Sequence, residues 1–102
     1  MVIRFERTGG FTGMSLRVVI DTTALQPVEH QNLSDLVRAA GFFQLPALLP
    51  GLQGGADRVT YKLTVEESKN MHTVEVGESG LPESLRPLIQ QLEKLARTLP
   101  KA

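Results

Sequence analysis

The sequence predicts an α+β fold in the order ββαββα: a four-stranded antiparallel sheet with two helices packed on one face. Three observations carry this prediction. Four short runs alternate apolar and polar residues with the period of a strand, and two longer segments repeat apolar residues with the period of a helix. Stretches rich in Gly and Pro separate them. Because a pair of strands precedes each helix, one sheet covered on one face buries both helical stripes together.

The first run, "VIRFER" at 2–7, puts Ile3 and Phe5 on one face and Arg4 and Glu6 on the other. "RTGGFTGMS" follows, a glycine-rich turn that carries a large ring, Phe11, where polar residues are the rule. "SLRVVID" then sets Leu16, Val18 and Ile20 on one face, with Arg17 and Val19 opposite. The two runs read as an antiparallel hairpin with Phe11 in its connection.

Pro27 suits a first helical position, and Glu29 falls in the first turn, where the helix dipole favours negative charge. Leu33, Leu36, Val37 and Ala40 recur at helical spacing before Gly41, a natural stop. The spacing predicts a helix over 27–40. Phe42, Phe43 and Leu45 of "FFQLP" are expected to tuck under the domain edge.

Residues 46–56, "PALLPGLQGGA", hold two prolines and three glycines, so neither a helix nor a ladder strand is expected. Alternation resumes in "RVTYKLTVE", with Val59, Tyr61, Leu63 and Val65 inward and Thr60, Lys62 and Thr64 outward. "ESKN" reads as a turn and "MHTVEV" as the returning strand, with Val74 and Val76 inward. The last helix has the stripe Leu85, Leu88, Ile89, Leu92, Leu95 and Ala96. Its start is open between two readings. A start at Pro82 makes Pro87 remove an internal hydrogen bond, whereas an N-cap at Ser84 puts Pro87 harmlessly in the first turn. The expected core is Ile3, Phe5, Val18, Ile20, Leu36, Val59, Tyr61, Leu63, Val74, Leu88 and Leu92, within one domain spanning 1–102 that is a monomer when free.

Composition narrows the function. Apolar residues are 41% and charged residues 22%, as in ordinary globular chains. Eleven basic residues balance eleven acidic ones, which leaves no cationic excess to displace counterions, so no nucleic-acid partner is expected. There is no cysteine, which removes disulfides, thiol catalysis and thiolate zinc sites. The start, "MVIRFERTGG", lacks the apolar core of a signal peptide, and no run is long enough to cross a bilayer. A cytoplasmic protein with no membrane partner is expected.

Chemistry is scarce. His30 and His72 are the only histidines, there is no HExxH, and both are expected at the solvent edge. Ser34 and Asp35 lie near His30 in sequence, but one straight helix cannot place the acid behind the imidazole and the serine before it. Glu66 and Glu67 are consecutive strand residues and point apart. "GGFTG" lacks the Lys-Ser/Thr of a phosphate loop and joins strands rather than opening a helix. No enzyme activity, metal or cofactor is predicted.

What remains is surface. Two loops, 8–14 and 46–56, combine backbone freedom with apolar side chains: Phe11 and Met14 in one, Leu48, Leu49 and Leu52 in the other. They either fold back to plug the sheet's open edges or present anchors to a partner.

Five segments in order, the strand-"GGF"-x-"G"-strand opening, "VIDT", "FFQLP", "GGADRVTYKLTV" and "HTVEV", resemble the emfourin family over Ile3 to Leu95. Members are small cytoplasmic bacterial proteins that inhibit thermolysin-like metallopeptidases, typified by protealysin, and have an antiparallel sheet with helices. The resemblance implies a non-catalytic protein whose partner is such a peptidase. A generic interaction module, such as a dimer built through an open sheet edge, is the alternative. Under the inhibitor reading the partner-binding residues are Gly9, Gly10, Phe11, Thr12 and Gly13, with Leu49, Leu52 and Asp57 from the second loop. Asp57 either meets the partner or caps its own turn.

Overall fold

The computed structural model describes residues 1–9, 15–49 and 59–98. Strands β1 (Val2–Thr8) and β2 (Leu16–Asp21) precede helix α1 (Pro27–Ala40); β3 (Thr60–Glu67) and β4 (Asn70–Gly77) precede helix α2 (Arg86–Thr98). One-turn 3₁₀ segments at Thr22–Ala24, Phe42–Gln44 and Glu78–Gly80 join them. The sheet order is β2-β1-β3-β4, antiparallel at every pairing. The ββαββα architecture is therefore the expected one.

Period-two alternation sets the layers. Ile3, Phe5, Val18, Ile20, Tyr61, Leu63, Val65, Val74 and Val76 are all buried on the face that the helices cover. Arg4, Arg17, Val19 and Lys62 are exposed on the other face. From α1 come Leu33, Val37 and Ala40, and from α2 Leu88, Ile89, Leu92, Leu95 and Ala96, all buried in the same cluster. Leu36 and Val59, expected in the core, are half-buried at its margin. Leu33 and Val37 take the centre of the α1 stripe instead.

Local signals explain the boundaries. Gly41 ends α1 in the left-handed conformation (φ 62°), and its N–H donates to the Arg38 carbonyl at 3.0 Å. Ahead of α2, Leu85 and Arg86 donate to the Pro82 carbonyl at 3.1 and 3.2 Å. Pro82 thus opens a turn that leads into the helix at Arg86, and Pro87 sits in the first helical turn, where it has no N–H bond to lose. Ser68 (φ 56°) makes the tight turn between β3 and β4.

Two expectations need correction. Neither histidine is a free solvent-edge group. The ring Nδ1 of His30 lies 3.0 Å from the Thr22 carbonyl, and Nε2 of His72 lies 2.6 Å from the Leu45 carbonyl, both half-buried. Phe42 presents an edge to the His72 ring, with centroids 5.5 Å apart. The sequence carried this signal: His72 shares the inward phase of Val74 and Val76, and His30 lies one turn before Leu33 and Ser34. The second correction concerns the segment after "FFQLP", which does make ladder contacts. Leu48 forms a parallel bridge with Glu75; the Glu75 N–H donates to Ala47, and the Leu49 N–H donates to Glu75, each at 2.8 Å. Residues 47–49 therefore cover part of the outer edge of β4.

Candidate functional site

Strand register decides where the two apolar loops join the sheet. Thr8, the last residue of β1, pairs with Thr60, the first of β3, which pairs in turn with Gly77, the last of β4. Gly9 (φ 95°) follows Thr8 and begins the first loop; Val59 precedes Thr60 and ends the second. Neighbouring strands lie about 4.8 Å apart, so the two loops reach the sheet side by side. The bridge from Leu48 to Glu75 is parallel, so residues 47–49 run along β4 toward this same end. Both loops thus belong to one end of the sheet.

Of the expected contact residues, Gly9 and Leu49 are described. Gly9 adopts a backbone conformation that L side chains rarely take. Leu49 is half-buried, with its side chain packed against the core and its backbone on Glu75, whereas its neighbour Leu48 is 64% exposed. Gly10, Phe11, Thr12, Gly13, Leu52 and Asp57 lie outside the described residues.

Beneath this end lies a polar cluster that sequence reasoning did not single out. Arg7 points toward the helices, in phase with Ile3 and Phe5, and its Nε sits 3.3 Å from Glu93 of α2. That nitrogen is buried without a well-aligned hydrogen bond, so the contact is an ion pair rather than a directed bond. Tyr61 is opposite Arg7 in the register and stacks on Phe5, with centroids 6.0 Å apart at 23°. Burial raises the Tyr61 phenol above its ordinary value, and the charges of Glu93 and Glu78 add to this, against an opposing pull from Arg7. A phenol raised in the folded state keeps its proton where the unfolded chain loses it. The Tyr61 contribution to stability should therefore be unchanged below about pH 10 and become unfavourable as pH rises beyond it. Denaturant titration across that range checks this, and Tyr61→Phe should remove the phenol's share of the decline.

The open face of the sheet is a weaker candidate. Arg17, Glu6, Lys62 and Glu75 stand directly opposite one another across β2, β1, β3 and β4, alternating in sign, and Arg17 and Glu6 form an ion pair. Such a row is self-neutralising and offers no field of one sign. Nor do the proximities near α1 make a catalytic triad. The His30 ring is held by Thr22, Ser34 is buried, and Asp35 binds the Gln31 amide at 2.8 Å. Among the described residues, no group of three or more His, Cys, Asp or Glu side chains could hold a metal ion. Among them, too, no helix is long and apolar enough to cross a membrane.

A family model described as Emfourin matches residues 5–93 of the 102. No curated protein and no solved structure matches the chain. The match takes in β1 from Phe5, all of β2, α1, β3 and β4, and α2 as far as Glu93, together with both loops.

Proposed function

Because the chain belongs to the Emfourin family, whose membership suggests a protease-inhibitor role, we propose that it is a non-catalytic inhibitor of thermolysin-like, protealysin-type zinc metallopeptidases. It binds in the cytoplasm through apolar loops placed near the active-site cleft of the enzyme, with residues 1–102 acting as one domain. The observation that supports the reading is that both apolar loops are rooted at the same end of the sheet, at Gly9 after β1 and at Val59 before β3.

The physical case is one of area and rigidity. An ordinary protein–protease interface buries on the order of 1,600 Å² in total, more than one short loop supplies. Two loops rooted on paired strands supply more, and the ladders beneath them lower the entropy cost of ordering the contact. Thermolysin-like enzymes accept a large apolar side chain on the primed side of the scissile bond. Phe11 or a leucine of the second loop fills that pocket, while glycine at 9, 10 and 13 lets the backbone approach closely. Below, the Arg7–Glu93 pair ties the loop-bearing end of β1 to α2.

Titration of a thermolysin-like peptidase with the purified chain tests the proposal. Activity should fall linearly to near zero at one equivalent, and the chain should remain intact by mass spectrometry. Undiminished activity at excess inhibitor, or steady cleavage of the chain, would refute the assignment.

A further inference from the structure

The two outer edges of the sheet are treated differently, and the hydrogen-bond phase shows how. The Thr22 N–H donates to the Met1 carbonyl at 2.9 Å, which makes Met1 and Thr22 a hydrogen-bonded pair in the β1–β2 register. Antiparallel ladders alternate, so Ile20, Val18 and Leu16 aim their backbone groups at β1, and Asp21, Val19 and Arg17 aim theirs outward. The same phase carried across β1 and β3 predicts that Glu75 faces outward on β4, and Glu75 is the residue that binds Ala47 and Leu49. Residues 47–49 thus occupy the part of the β4 edge around Glu75. On the β2 edge, no backbone bond reaches Arg17, Val19 or Asp21 among the described residues.

We propose that this edge pairs with the β2 strand of a second copy, antiparallel about a two-fold axis at Val19. The occupant is argued from self-complementarity. Centring on Val19 sets Val19 against Val19 and Arg17 against Asp21 of the second copy, and the reverse pair follows by symmetry. Each opposed pair can exchange both backbone bonds, because the outward phase of all three residues is shared. Their side chains emerge together on the face the helices leave open, where Val19 is 48% exposed. Asp21 receives the Thr23 N–H and hydroxyl on Oδ1 alone, at 3.0 and 2.7 Å, which leaves Oδ2 for an incoming guanidinium. Arg17 then lies between its own Glu6 and the opposite Asp21. Because the paired strands run in opposite directions, the loop-bearing ends of the two copies point apart. Pairing therefore leaves the proposed peptidase surface of each copy open, and the inference does not depend on that proposal.

Sedimentation of the whole chain over a concentration series is the test, with circular dichroism to confirm folding. The wild-type chain should pass from monomer to dimer as concentration rises. Val19→Pro removes only an outward N–H, so the intrachain ladder survives while self-association is lost. Arg17→Asp alone and Asp21→Arg alone place like charges opposite one another twice, and each should raise the dimer dissociation constant at least about tenfold. An equimolar mixture of these two variants restores opposite charges at both pairs and should dimerise where neither does alone. A wild-type chain that stays monomeric at every concentration, a folded Val19→Pro that dimerises as well as wild type, or a folded mixture that stays monomeric each overturns the proposal.

Discussion

Phe11→Ala should weaken inhibition of a thermolysin-like peptidase about tenfold or more while barely changing the melting temperature. A phenylalanine fully desolvated in a partner's pocket contributes roughly 2–4 kcal/mol, and truncation forfeits most of that. A tenfold loss corresponds to about 1.4 kcal/mol, so the expected effect exceeds the threshold even with partial burial. The prediction separates an anchor from a core residue because the two roles move different observables. Should the variant instead lose several kcal/mol of stability while each folded molecule still inhibits as well as wild type, the ring belongs to the interior. The second loop would then have to supply the anchor. Leu48, exposed at the start of that loop, is the next variant to measure.

Phe5→Ala should destabilise the domain by about 3–5 kcal/mol, a large part of the roughly 5–15 kcal/mol available to a chain of this size. Phe5 lies on β1, a central strand, paired with Val18 on one side and Leu63 on the other, and it is 2% exposed. Tyr61 stacks against it, so the cavity left by alanine would be lined by side chains from several elements and could not easily collapse. Thermal or denaturant unfolding measures the loss. A shift of only a few tenths of a kcal/mol would mean that this centre is loosely packed. Inhibition per folded molecule should persist, because Phe5 lies under the sheet rather than at its loop-bearing end. Together, Phe5→Ala and Phe11→Ala distinguish the scaffold from the surface it carries.

Most of the fold was legible because burial on one face of a strand or helix writes a period into the chain. Pro27 and Gly41 marked both ends of α1, and alternation in "VIRFER" and "RVTYKLTVE" assigned the correct face to every inward residue that is described. Less legible were features that depend on which strand lies beside which. Arg7 reads as a polar strand end; only the packing of α2 over β1 supplies Glu93 as its partner. His72 reads as a stray polar residue in an inward phase until the Leu45 carbonyl arrives from twenty-seven positions away in the chain. The segment 46–56 reads as irregular from its prolines and glycines, yet residues 47–49 join β4, because a free edge can bind any backbone that passes in phase.

The sequence by itself determined the order of elements, the buried faces, the family and the absence of cysteine chemistry, since each is written in local residue patterns or composition. Tertiary structure alone decided three things. The strand order β2-β1-β3-β4 sets the roots of both apolar loops at one end, residues 47–49 cover part of the β4 edge at Glu75, and among the described residues no backbone bond reaches the β2 edge. The physical reason is that period reports which way a side chain faces but not which neighbour it meets. Sheet order is settled by the joint packing of both helices on one face, a constraint distributed over residues far apart in the chain.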